Sequence, residues 1–317
     1  MEEVLDALRR FDRFLLTSHE RLDGDAVGSE LALCRILRAA GKQADVYNQD
    51  PTPANYRFLP GAEEILNVLP PVERYEAAVI LDCSDLERVG RESQRIGSIP
   101  RLINIDHHVS NGGFCERTWI EPDASSTGEL IFRLAERGGF ALSPETADCL
   151  YTAVLTDTGG FRYGNTRTET LRAASVLVGC GASPQAISEN VYESYPAERF
   201  RLLGIALRSL SFDLGGKVGS LVVTLDAMAA AGAIPEMTEN FVDLPRSVKG
   251  VVVSILFSEL APNRFKVSLR SKGSFNVERV AAAFRGGGHV NAAACRIEGD
   301  LEVVRRRVLD AIREAGL

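Results

Sequence analysis

Through the first half of the chain, short apolar runs alternate with stretches of helical periodicity. Residues 13–17 (RFLLT), 77–81 (AAVIL) and 102–105 (LINI) are continuous apolar runs too short for helices. Each reads as a buried strand, and residues 43–47 read as another. Residues 26–40, 126–137, 145–155 and 167–178 instead carry apolar positions at helical spacing. The first of these stops at Gly41, a residue type that caps helix ends. Residues 1–10 read as an opening amphipathic helix. Strands that alternate with helices predict a mostly parallel sheet covered on both faces.

The pattern changes after residue 184. Residues 185–213 are polar, helical in pattern and interrupted by Pro196, which predicts a helical connector. Beyond it come a turn at 214–217, a strand at 219–225 and helical stretches at 226–231 and 238–244. Two strands that can pair follow at 251–257 and 264–269, then helices at 277–284 and 301–314. The expected fold class is therefore α/β. An N-terminal domain over residues 1–184 holds a mostly parallel sheet flanked by helices, and a smaller α/β domain occupies 214–317. A length of 317 residues suits two domains.

Charge narrows the partners. Lys plus Arg is 36 against 43 Asp plus Glu, a net charge of −7. That argues against a protein gripping a long nucleic-acid tract, while leaving a small anionic substrate open. No apolar run approaches the ~18–20 residues of a membrane span. The N-terminus lacks the basic start and apolar core of a signal peptide. The six cysteines are scattered without a CxxC pair, which fits reduced thiols in a cytoplasmic protein.

The chemistry concentrates at strand ends. The run at 13–17 leads into His19, Asp23 and Asp25; the run at 77–81 leads into Asp82; the run at 102–105 leads into Asp106, His107 and His108. A further acid, Asp157, follows the helical stretch at 145–155. In open α/β sheets, sites form outside the carboxyl ends of the strands, so these segments converge on one edge. Taken singly, each has a structural reading. Asp25 can cap a helix starting at Ala26, Asp82 a short helix near Leu86, and Asp157 can be a helix end. Taken together they are hard to explain that way, because three of the four histidines sit at strand ends beside acids. Carboxylates and imidazoles without thiolates suit divalent ions such as manganese, and two such ions would relieve the repulsion among the acids. Two metals bridged by a carboxylate suit phosphoryl hydrolysis.

A second cluster lies near the C-terminus. Gly286, Gly287 and Gly288 permit close backbone approach to a ligand, and residues 290–294 read as the start of a short helix with N–H groups aimed at an anion. A flexible turn is the simpler reading of the glycines. His289 follows them directly, and Arg270, on a nearby predicted strand, has the donors to grip a phosphate. Arg162 is a further phosphate candidate, or a surface arginine.

Asp106-His107-His108 resembles the hallmark of the DHH phosphoesterases. His19-x3-Asp23-x-Asp25, Asp82 and Asp157 match the family's other N-terminal motifs in order. Arg285-Gly286-Gly287-Gly288-His289 matches the GGGH motif of the DHH-associated domain, and the segments 56–61 and 268–273, the latter with Arg270 and Ser271, add to the likeness. Ala294 and Val290 depart from the usual Gly and Pro. The resemblance is strongest to the branch of oligoribonucleases that act on nano-RNA and convert 3′-phosphoadenosine 5′-phosphate (pAp) to AMP. It implies one manganese held by His19, Asp23 and Asp82, and another held by Asp25, Asp82, His107 and Asp157, with Asp82 bridging. It further implies Asp106 as an orienting carboxylate and His108 facing the substrate phosphate. Arg270, Ser271, Gly286–Gly288 and His289 would bind the nucleotide, and a homodimer is compatible. The rival activities are cleavage of cyclic di-AMP or pApA, pyrophosphate hydrolysis, a RecJ-like exonuclease, and a non-catalytic nucleotide sensor.

Overall fold

The computed structural model describes the backbone of residues 1–317 and every side chain except that of His289. It forms two compact units, Met1–Ser194 and Tyr195–Leu317. The first contains α1 (Glu2–Arg10), β1 (Arg13–Thr17), α2 (Gly24–Ala39), β2 (Gln43–Val46), β3 (Ala77–Leu81), α3 (Ser93–Ile96), β4 (Leu102–Asp106) and β5 (Arg117–Ile120). It continues with α4 (Thr127–Gly138), α5 (Pro144–Asp157), α6 (Thr168–Gly179) and α7 (Pro184–Tyr192).

Its sheet has the order β2-β1-β3-β4-β5, and every pairing is parallel. Alternation within the apolar runs fills both faces. Phe14, Leu16, Val79, Ile103 and Ile105 join the core with α2 and α4. Leu15, Ala78 and Ile80 point the other way, against Ile96 and Ile99. Because the strands run the same way, Thr17, Leu81 and Asp106 all end at the same edge, as the sequence predicts.

Helix α2 lies unusually close to α5. A Cβ on Gly28 would sit 2.4 Å from the Cys149 carbonyl oxygen, a backbone atom that cannot swing aside. Gly28→Ala is therefore expected to destabilise the protein by about 1–3 kcal/mol, the usual penalty of overpacking. Gly204 lies within a helix of the second unit and has open space around its added Cβ. Gly204→Ala should stabilise by roughly 0.5–1 kcal/mol. Urea midpoints of the two variants should move in opposite directions.

The second unit contains α8 (Ala197–Arg208), β6 (Ser211–Asp213), β7 (Val218–Val223), α9 (Leu225–Ala231), β8 (Val253–Ala261) and β9 (Arg264–Ser271). It closes with α10 (Val277–Ala282), β10 (Gly287–His289), β11 (Ala292–Glu298) and α11 (Leu301–Glu314). The sheet order is β10-β11-β9-β8-β7-β6. Only β7 and β8 pair in parallel. Val253, Ile255, Val267 and Leu269 pack one face with α10 and α11. Leu221 and Leu256 pack the other with Leu202, Met228 and Phe241.

Three expectations change. The stretch 185–213 is not a free connector: Ile187 and Val191 of α7 are buried in the first core, Leu202 and Ala206 of α8 in the second, and β6 pairs with β7. Residues 238–244 form only short 3-10 turns, separated by Asn240 at φ 63°. Residues 290–294 do not begin a helix. Ala292–Glu298 is a strand, held by antiparallel pairing to β9 on one side and β10 on the other.

Candidate active site

The loop after β1 is anchored before it reaches His19. The Ser18 hydroxyl donates to the Leu81 carbonyl at 2.7 Å, tying the loop to β3. His19 Nδ1 lies 2.9 Å from the Glu20 carbonyl oxygen, which turns Nε2 toward Asp82 Oδ2 at 3.4 Å and Asp23 Oδ2 at 3.9 Å. The cap of α2 is Asp23, not Asp25. One Asp23 oxygen accepts from the backbone N–H groups of Asp25 and Ala26, and the other faces His19.

Asp25 is buried and reaches a different helix. Its two oxygens accept from the Thr127 and Gly128 N–H groups at 2.7 and 2.8 Å, at the positive end of α4. Asp82 leaves β3 in the left-handed region, at φ 53°. Its Oδ2 faces His19, while its Oδ1 lies 3.5 Å from His107 Nε2 and accepts from the Thr127 hydroxyl. His107 directs Nδ1 at the Ala124 carbonyl, 3.3 Å away, leaving Nε2 at 3.6 Å from Asp157 and 3.7 Å from Asp25.

Two ligand sets result. His19, Asp23 and Asp82 form one, and Asp25, His107 and Asp157 the other; the candidate ligand atoms of each lie within 4.8 Å of one another, as do those of a third, overlapping group, Asp82, His107 and His108, which shares one residue with each set. The two oxygens of Asp82 face one set each. The donor chemistry fits divalent cations: each imidazole has one nitrogen held by a carbonyl and the other turned to carboxylates, the usual orientation of a metal-binding histidine.

Burial and mutual charge shift the titration of the same groups. Burial, reinforced by the charges of Asp82 and Asp157, pushes the Asp25 carboxyl well above the usual carboxylate range. Burial also raises Asp157, to about 7, with Asp82 and Asp23 adding to the effect. Burial opposes charge on His19, but the hydrogen bond to Asp82 and the charge of Asp23 win and raise it to about 9. Asp82 moves down despite its burial, because His19, His108 and His107 surround it.

His108 is held separately. Its Nδ1 lies 2.7 Å from Asp106 Oδ1, an oxygen that also accepts from the backbone N–H groups of His107 and His108. Burial lowers the His108 pKa, but the Asp106 hydrogen bond and the charge of Asp82 outweigh it and lift the imidazole to about 8.

The C-terminal residues are less uniform. Arg270 is part-exposed on β9, and its guanidinium donates to the Leu269 carbonyl. Ser271 is buried: its hydroxyl donates to the Phe275 carbonyl at 2.6 Å and accepts from Asn291. It shapes the turn after β9. A Cβ on Gly286 would lie 2.3 Å from the Ala294 carbonyl oxygen, and one on Gly288 2.3 Å from that of Ala292. The close approach these glycines permit is thus to β11, while Gly287 faces open space. Arg162 donates from Nε to the Gly159 carbonyl at 2.6 Å. The His289 side chain lies outside the described residues.

Comparison with known proteins agrees with this geometry. Residues 13–154 match the DHH family N-terminal domain, and residues 217–315 match the DHHA1 domain. Over 316 residues the chain is 37% identical to the bifunctional oligoribonuclease and PAP phosphatase NrnA of Thermus thermophilus, covering 98% of this chain and 92% of that one. The chain belongs to the DHH family. A Bacillus subtilis protein of the same name is 26% identical, over 93% of this chain and 92% of its own. Among solved structures, an exopolyphosphatase-related protein from Bacteroides fragilis superposes with a TM-score of 0.93 at 32% identity, covering 99% of this chain and 96% of that one.

Several residues of this DHH site escape sequence reasoning. Asn111 donates to Asp106 Oδ2 at 2.7 Å and to Asn104 Oδ1 at 2.8 Å; Asn104 donates to the Ile80 and Cys83 carbonyls. Together they lock the ends of β3 and β4. Behind His19, the buried Glu30 accepts from Asn48, whose Oδ1 accepts from the Ser18 N–H. Asn104 and Glu30 carry a readable signal, each being a polar residue inside an otherwise buried element.

Proposed function

We propose that this chain is a manganese-dependent phosphoesterase that hydrolyses short oligoribonucleotides and converts pAp to AMP. The observation that carries the reading is Asp82, a buried carboxylate with one oxygen toward each of two histidine–carboxylate sets. The activities named for the Thermus and Bacillus relatives select the substrates. Bound at the two sets, divalent cations would supply charge neutralisation and an activated water nucleophile.

The protein's own groups do the rest. His19 and His107 keep their Nε2 atoms aimed by carbonyl contacts at Nδ1. Asp25 is held rigid by the first N–H groups of α4. His108, oriented by Asp106, faces the reacting phosphate and provides a proton for the leaving oxygen. Arg270 and the bare backbone at Gly287 bind the nucleotide. Such a short ligand needs no long basic track, consistent with the net charge of −7. The six cysteines are free, which suits a cytoplasmic enzyme.

The test is a rate panel with manganese on pAp, pApA, a five-nucleotide RNA, cyclic di-AMP and pyrophosphate. The pentamer and pAp should be turned over fastest. Faster hydrolysis of cyclic di-AMP or pyrophosphate would replace this reading. Arg270→Ala should raise KM for pAp about tenfold or more and leave the manganese content unchanged.

A further inference from the structure

We propose that Glu30 is a positioning residue that sets His19 in its metal set through the side chain of Asn48. This rests on the two-metal reading of the chain and gives a role to a buried acid that neither the motifs nor the chemistry of the site uses. Glu30 lies on α2 with 0% of its surface exposed. A carboxyl group there is costly unless its oxygens are paired. Among the described residues Glu30 forms no ion pair, and its Oε1 has no hydrogen-bond partner. Its Oε2 accepts from Asn48 Nδ2 at 2.8 Å. A leucine would fill the same place without the cost, so the acid is explained by what that bond does.

The bond orients an amide. The backbone of Asn48 is already fixed: its N–H donates to the Leu66 carbonyl at 2.9 Å, and its carbonyl accepts from Asn67 at 3.0 Å. Only the side chain is left to choose, and an amide can present either end to a neighbour. Glu30 takes the Nδ2 end, which leaves Oδ1 to accept from the Ser18 N–H at 3.2 Å. With the amide reversed, two donors would face each other at Ser18.

Ser18 passes the constraint on. Its hydroxyl is tied to the carbonyl of Leu81, the residue before Asp82. His19 follows it directly, with Nε2 at 3.4 Å from Asp82 Oδ2. A run of buried hydrogen bonds thus links Glu30 to the place where His19 meets Asp82. The other set is held by different means. The first N–H groups of α4 hold Asp25, and the Ala124 carbonyl faces His107 Nδ1. Glu30 therefore tunes one set and not the other.

Glu30→Leu should weaken one manganese ion about tenfold or more in a calorimetric titration of the metal-free protein. The affinity of the second ion should stay within about twofold. At manganese levels that fill the wild type, electron paramagnetic resonance should show an isolated ion in the variant and a coupled pair in the wild type. Ser18 keeps its bond to Leu81, so the variant should fold, and circular dichroism should match the wild type. Asn48→Ala removes the middle of the same path and should cause the same selective loss. The double variant should lose no more than about twofold beyond the weaker single one, because both act through one path. Glu30→Gln keeps an acceptor for the Asn48 amide and should stay within about twofold of the wild type. Unchanged affinities in Glu30→Leu, equal weakening of both ions, losses that add in the double variant, or a Glu30→Gln variant as impaired as Glu30→Leu would each overturn the inference and leave the proposed function standing. Should Glu30→Leu not fold, Asn48→Ala and Glu30→Gln decide by the same criteria. A wild-type protein that takes up no pair of manganese ions would overturn the two-metal reading, and the inference with it.

Discussion

If the proposed two-metal reading holds, Asp82→Asn should lower kcat/KM for pAp by about 1,000-fold or more and abolish the thermal stabilisation that reading expects from manganese. The size of the effect follows from position. Asp82 is buried, and it is the residue whose two oxygens face the two ligand sets separately. Exchanging one oxygen for an amide nitrogen removes the charge shared by both sets and turns a donor toward one of them. Asparagine is chosen over alanine because the residue sits at φ 53°, where Asn is tolerated and Ala is strained. The Thr127 hydroxyl can still donate to the amide oxygen. The variant should therefore fold, and circular dichroism should match the wild type. Metal content after dialysis, measured by elemental analysis, should fall along with activity. A variant that keeps both its metal and near-normal turnover would sink the assignment of Asp82 as the bridge.

What the sequence makes legible depends on how local each cause is. Ala77–Leu81 is five buried apolar residues in a row, and nothing but a central strand suits it. The convergence of His19, Asp82 and His107 follows from parallel strands ending together, so three separate segments could be placed at one edge before any coordinates. Strand β5 (RTWI) is harder to see, because three of its four residues are only half-buried at the sheet's edge. Strand β11 opens with three alanines, which favour helix, and only pairing to β9 and β10 makes it extended. The same limit applies within the site. Asp23 and Asp25 are two residues apart, and the spacing does not say which caps α2. The answer comes from α4, whose first N–H groups capture Asp25 from about one hundred residues away in sequence. Asn111 gains its role only because Asn104 and Asp106 end up beside it. Ser271 looks like a ligand contact in sequence and is instead enclosed by the turn it stabilises.

Raising the pH should strengthen metal binding steeply while weakening the metal-free protein. Without cations, His19 holds a proton up to about 9 and Asp157 up to about 7, and burial pushes the Asp25 carboxyl up as well. All three are proposed ligands, so cations can bind only as those protons leave. With two or more protons displaced below pH 7, the combined affinity should climb on the order of 100-fold per pH unit there. The climb should be less steep above pH 7, once the Asp157 proton has left. The stability of the metal-free protein carries the opposite sign. His19 is raised from 6.5, so its contribution is fully present below 6.5 and is lost as pH rises through about 9. Asp157 is raised from 3.8, so its contribution is full below 3.8 and is lost as pH rises through about 7. His108, raised to about 8, acts in the same direction. Asp82 and Asp106 are lowered, so their contributions are in place above 3.8 and do not change across this window. The melting temperature in chelator should therefore fall from about pH 6 to pH 9, while that in manganese holds or rises, so that the gap widens. A gap that stays constant or narrows would mean that the cations do not replace these protons, and the two sets would not be the metal site.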